Sequence, residues 1–295
     1  MPSTRDYSFP LIASVLHPTD FSDASLVAFH HALKVALIAK SAFTLLHVAA
    51  DYSGDPLEFP CVRETLDRWG ILPKSSPPSA LAQLDLSVNT VVANSRDPVK
   101  AVLRYVEEHI VDLIVLATRQ HEGRAVWLSD SVASPIARRA DQMTLLIPQG
   151  SAGFVSAADG SVSLKNVLIP VAESPGAQPA VEAAARFAAR LGYSGGTFTL
   201  LHVGETAAMP GVQTPDVAGW EWKRMTRTGD VIHGIADVAR EIEAGLVVMS
   251  TDGRNGFLDA LRGSHSERVL RQVPVPLLTV PAGSLADPRA EAGRR

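Results

Sequence analysis

The chain of 295 residues reads as an α/β protein of two similar halves, each a five-stranded parallel sheet covered by helices on both faces. Three observations carry this. Short, continuously apolar runs alternate with segments of helical pattern, as strands buried on both faces of a parallel sheet do. The runs also repeat along the chain. Thr44-Leu45-Leu46-His47-Val48 returns as Thr199-Leu200-Leu201-His202-Val203, and Val15-Leu16-His17-Pro18 returns as Val167-Leu168-Ile169-Pro170. Residues 112–118 answer 245–251, and residues 143–148 answer 276–281. Finally, several runs close on proline, which ends ladder pairing.

The first element is the run ending at His17-Pro18. Ser22 or Asp23 then caps a helix to about Lys40, with Leu26, Phe29, Leu33 and Leu37 giving a rough apolar face. Its counterpart spans about 177–191 and is rich in alanine. Asp97-Pro98 opens a second helix to about His109, proline standing where its missing N–H costs nothing, and residues 230–243 form the equivalent helix. His47 and His202 lie 155 positions apart, Thr118 and Thr251 only 133, so the second copy is 22 residues shorter between its second and fourth strands. The first copy fills that stretch with an extra helix over 60–70 and a Pro/Ser-rich run; the second has a polar loop over 204–219. Each half reads β-α-β-(α)-β-α-β-α-β. The organisation is residues 1–148, a linker of 149–163 in which Asp159-Gly160 suggests a small hairpin, residues 164–283, and a tail of 284–295 without core pattern.

Composition narrows the function. A content of 46% apolar and 20% charged residues is that of a water-soluble globular chain. A net charge of -4 and a pI near 6.1 argue against a nucleic-acid binder. One cysteine, Cys61, leaves no internal disulfide or cysteine-based zinc site, which suits a reducing cytoplasm. The apolar run over 11–16 is too short for a signal-peptide core, and no stretch reaches the ~20 apolar residues of a membrane span. The expected location is cytoplasmic, without membrane or nucleic-acid partners.

The stretch over 247–268 carries the chemistry. An apolar run is followed by a glycine-rich loop, and Ser264 with Glu267 forms the S-x-x-E signature of a helix start. Free backbone N–H groups and the positive end of a helix dipole would converge there, which makes an anion cradle. A turn plus helix cap without a ligand fits the same spacing. Arg254 and Arg262 flank the loop and could neutralise phosphate.

On these residues the chain resembles tandem universal stress proteins over about 14–148 and 165–281. The resemblance implies two Rossmann-like domains of that type, paired internally about a pseudo-two-fold axis through their last strands, residues 143–147 against 277–280. It leaves open a homodimer and an unknown protein partner. It also implies a strand-4 loop, G-x2-G-x9-G-(S/T), that holds ATP phosphates, with a magnesium ion as the cation that could accompany them, and an acidic residue after strand 1 that contacts the nucleoside. In the second half Gly253, nine residues, then Gly263-Ser264 match, while Ser250 replaces the first glycine. The implied site comprises Pro170, Val171, Val203, Ser250, Asp252, Gly253, Arg254, Gly263, Ser264 and His265. The acidic position here is Ala172, with Glu173 one place late. The first half has the reverse loss. Pro18-Thr19-Asp20 is intact, but its loop reads Ala117-Thr118-Arg119-Gln120, nine residues, then Asp130-Ser131. Asp130 would repel phosphate at a helix start. Asp20 is therefore either a surviving nucleoside contact or a local cap.

The implied function is adenine-nucleotide binding in the second half as a stress signal, with turnover slow or absent. A scaffold without nucleotide and a slow ATP hydrolase are the alternatives. No Walker lysine motif, G-x-S-x-G elbow or H-E-x-x-H motif occurs, and no catalytic residue or metal ligand is assigned. His47 and His202 read as structural. The neighbours His30 and His31 point about 100° apart on a helix, a poor chelating geometry, and at least one is expected to be exposed.

Overall fold

The structure, a computed structural model, describes residues 12–50, 59–73, 75–77, 79–118, 132–191, 195–251 and 275–282. The first half runs β1 (Ser14–Thr19), α1 (Asp23–Ala39), β2 (Ala42–Ala49), α2 (Val62–Arg68), α3 (Ala80–Gln83), β3 (Ser87–Asn94), α4 (Pro98–Glu108), β4 (Leu113–Thr118), α5 (Ala133–Arg139) and β5 (Met143–Pro148). The second runs β6 (Asn166–Pro170), α6 (Gln178–Arg190), β7 (Gly196–Val203), β8 (Trp220–Arg227), α7 (Val231–Glu241), β9 (Leu246–Thr251) and β10 (Leu277–Pro281).

Local chemistry explains the boundaries. The Ser22 side chain accepts from the Ser25 N–H to cap α1, which stops at Lys40 in the left-handed conformation (φ 54°) with its N–H turned back on the last carbonyls. Asp97 caps α4 by accepting from the Lys100 N–H, and Asp230 caps α7 by accepting from Ile232 and His233. The tail over 284–295 lies outside the described residues.

All ten strands join one sheet in the order β3-β2-β1-β4-β5-β10-β9-β6-β7-β8. Within each half every neighbour is parallel, and the halves meet where β10 runs antiparallel to β5. There Leu277 faces Leu146, Leu278 faces Leu145 and Thr279 faces Thr144, the last-strand pairing that the resemblance implies. Both strands are buried along their whole length. Two apolar layers cover the sheet: α1 and α6 lie on one face, α4, α5 and α7 on the other. The edge strands β3 and β8 are largely polar, and β8 is held by Trp220 and Trp222, which stack on Phe198 at 4.4 and 4.3 Å.

Between the halves, Val155 and Val162 pair in an antiparallel bridge, and Ser163 donates to Phe154 O. Phe154, Val155 and Leu164 are buried. This segment corrects one expectation: His30 and His31 are both buried, at 4% and 0% exposure. A helix lying on a sheet usually leaves a flank in water, but here α2 closes over His30 and the linker over His31. Arg68 donates to His30 Nε2 at 3.0 Å, and the Phe154 and Val155 amides donate to His31 Nε2.

Candidate functional site

In each half the chain leaves the first strand and the fourth strand toward opposite sides, so β1/β4 and β6/β9 are the switch points where ligands of open α/β sheets lodge, beyond the carboxyl ends of the strands. The crevice of the second half is bounded by Pro170 and Val171 after β6, His202 and Val203 at the end of β7, and Ser250 and Thr251 at the end of β9. The structure thus brings Pro170, Val171, Val203 and Ser250 to one edge of the sheet. Asp252, Gly253, Arg254, Gly263, Ser264 and His265 lie outside the described residues.

Of the four, three are committed to the scaffold. The Val171 side chain is buried, its N–H donates to Leu201 O at 2.8 Å, and its carbonyl accepts from His202 Nδ1 at 3.1 Å. Val203 packs toward α7, where a Cβ on Gly234 would come within 3.0 Å of its Cγ2. Ser250, the replaced glycine, is buried and accepts from the Ala180 N–H at 3.2 Å. Its hydroxyl therefore ties β9 to the first turn of α6. That turn has no side-chain cap and contains Pro179, which brings no N–H. Gln178 reaches across to the loop before β8, donating to Gln213 O at 3.1 Å and accepting from the Gln213 N–H at 2.8 Å. Ala172 and Glu173 are exposed beyond β6.

The first half repeats the frame. His47 Nδ1 donates to Thr19 O at 2.9 Å, as His202 does to Val171, so the matched histidines serve one role: each pins the end of the first strand to the second. Asp20 is exposed, and its Oδ1 accepts from the Ser22 N–H at 3.1 Å and the Ser22 hydroxyl at 2.6 Å. The carboxylate braces the residue that caps α1. Beside it Phe21 adopts φ 62°, a conformation costly for a bulky side chain, with its ring stacked on His47 at 4.2 Å and edge-on to Phe59 at 5.3 Å.

His17 was not singled out by the sequence. It is fully buried, donates from Nδ1 to Val115 O at 2.9 Å and has Nε2 3.4 Å from Ser25 Oγ, which lies 2.9 Å from Thr19 Oγ1. A serine–histidine contact suggests a nucleophile and base, but Ser25 is 3% exposed. Burial outweighs the favourable Val115 carbonyl and Asp20 charge and lowers the His17 pKa to about 4, so it is a weak base. The pair is a structural link from β1 to α1 and β4. Among the described residues no cluster of three His, Cys, Asp or Glu side chains could hold a metal. Among the described residues an apolar pocket lies near the carboxyl ends of α1 and α6, lined by Ile12, Val35, Ile38, Phe187 and Leu191, on the opposite edge of the sheet from these crevices. No helix among the described residues is long and apolar enough to cross a membrane.

Comparison with known proteins agrees with this frame. The chain matches the sequence profile of the universal stress protein family over residues 12–148 and 218–281. A universal stress protein from Archaeoglobus fulgidus DSM 4304 superposes with a TM-score of 0.61 at 19% identity, covering 92% of this chain and 99% of its own. A functionally unknown protein from Pseudomonas aeruginosa PAO1 gives 0.57 at 14% identity, covering 97% of this chain and 99% of its own. At these identities the likeness is one of fold. No curated protein matches in sequence.

Proposed function

The chain belongs to the universal stress protein family, and on that premise we propose that its second half binds an adenine nucleotide, ATP in the first instance, as a signal in a cytoplasmic stress response. The observation that carries this reading is the end of β9. Thr251 closes the strand next to β6, at the switch point of the second half, and Gly253, nine residues, Gly263-Ser264 follow it in sequence. Backbone N–H groups spaced along such a run, and the arginines Arg254 and Arg262, are the chemistry that receives phosphate. A divalent cation would enter with the nucleotide and screen its phosphate charge.

The residues around the crevice fit phosphate better than nucleoside. Ser250 spends its hydroxyl on Ala180, and Ala172 stands where a carboxylate would meet the ribose. The proposed affinity therefore rests on the phosphates, and adenosine binds much more weakly than ATP. The first half keeps Asp20 but uses it on Ser22, and it contributes no second nucleotide. That same observation favours the rival reading, a paired-domain scaffold that needs no nucleotide.

Equilibrium titration of ATP into the wild type and Gly263→Asp decides between them. Binding of one ATP per chain, lost in Gly263→Asp with the circular dichroism unchanged, supports the proposal. Absence of binding in the wild type sinks it and leaves the scaffold. Product release with magnesium that depended on one carboxylate would identify a slow hydrolase.

A further inference from the structure

The linker between the halves is docked, not slack. His31 in α1 donates from Nδ1 to Val27 O at 2.8 Å, which leaves Nε2 as an acceptor, and two consecutive linker amides use it: Phe154 N at 3.0 Å and Val155 N at 3.2 Å. Phe154 lies edge-on to His31 at 4.7 Å and to Phe187 of α6 at 6.0 Å, so one linker ring joins the helix layers of both halves. Farther along, Trp69 Nε1 donates to Ala157 O at 3.2 Å. The fit is close: a Cβ on Gly153 would stand 2.1 Å from His31 Nε2, and one on Gly160 would stand 2.4 Å from the Trp69 ring.

We infer that His31 is a proton-operated clasp on this linker, holding residues 154–163 against α1 while its ring is neutral and releasing them when it gains a proton. The chemistry is a reversal of hydrogen-bond sense. A proton on Nε2 turns the shared acceptor into a donor facing two N–H groups, which can neither rotate away nor accept. Two buried amides then lack a partner, and undocking returns them to water.

The surroundings resist charge on His31. On α1, His30 precedes it and disfavours a charge on it, Lys34 follows one turn later, and from α2 Arg68 bonds His30; against them the Val27 carbonyl favours the charged ring. The linker brings Asp159, whose charge acts on Lys34, and α6 brings the uncharged Phe187, next to an Arg186 that pairs with Glu182. Burial is the largest effect, and His31 sits at about 4 in place of 6.5. With a released ring titrating near 6.5, linkage makes the open linker roughly 20-fold more populated at pH 5 than at pH 7.

Hydrogen exchange of the Phe154 and Val155 amides in the full chain tests this, expressed as protection relative to the intrinsic rate at each pH. The expected result is a fall of roughly 20-fold from pH 7 to pH 5 while β1 and β4 amides stay more protected. In His31→Gln, protection should be independent of pH over that range. Gly153→Ala keeps the histidine but should lower protection already at pH 7, with the sheet's circular dichroism intact. The inference is overturned by constant protection in the wild type, by an equal fall in His31→Gln, or by linker and sheet amides losing protection together.

Discussion

Acid should weaken this fold through His17 before its carboxylates matter. His17 is fully buried and its pKa is pulled from 6.5 to about 4, chiefly by loss of water around the charged ring. The stabilising form is the neutral one. Above pH 6.5 folded and unfolded chains are both neutral at this residue, and its contribution is whole. Between 6.5 and 4 the unfolded chain takes up a proton that the folded chain refuses, so stability falls as pH falls; below 4 both states carry it and the loss levels off. At about 1.4 kcal/mol per pH unit the gap amounts to about 3 kcal/mol, a large share of the 5–15 kcal/mol that holds a typical domain. The lowered pKa values of Asp97 and Asp159 act only below 3.8 and leave this window clear. Urea denaturation at pH 7.5, 6.5, 5.5 and 4.5, extrapolated to water, measures the effect. His17→Phe strands the Val115 carbonyl and should cost about 1–3 kcal/mol at every pH. More tellingly, it should reduce the slope near pH 5.5 by about 1 kcal/mol per pH unit, leaving what His30 and His31 contribute. Equal slopes in the variant and the wild type would refute the reasoning.

Two further outcomes test the frame of the site. Ser250→Ala removes the acceptor of a buried Ala180 N–H and should cost about 1–3 kcal/mol in denaturation, with ATP affinity unchanged. A drop in affinity at unaltered stability would show that the hydroxyl serves the ligand. Leu278→Ala, at 1% exposure opposite Leu145, should cost about 2–5 kcal/mol because the seam is packed from both strands. A negligible change in the urea midpoint would mean that the halves do not depend on that seam.

Much of the frame was legible because it rests on periodicity. β1, β2, β4 and β5 and their counterparts are apolar on both faces, and such runs declare themselves without tertiary information. The edge strands were implied by the repeat but not located, since β3 and β8 bury only part of their side chains and lack the apolar signature. The helix starts at Ser22 or Asp23 and at Asp97 were read from local chemistry, because a cap is satisfied within three residues, and the structure selects Ser22.

The side-chain roles were a different matter. Ser250 reads as a small residue beside a phosphate loop, and only the approach of α6 shows its hydroxyl bound to Ala180, 70 positions earlier. Asp20 reads as ligand contact or local cap, and in this structure its carboxylate accepts from the N–H and hydroxyl of Ser22, the residue that caps α1. At least one of His30 and His31 was expected in solvent, and α2 and a linker more than a hundred residues away closed over them. Sequence alone carried the repeat and the strands buried on both faces, since these follow from the sign of hydropathy along one segment, while the pairing across the seam was implied by the family resemblance. The tertiary structure decided which polar atoms still have capacity for a ligand and which are used up, because a hydrogen bond between distant segments leaves no pattern in either one.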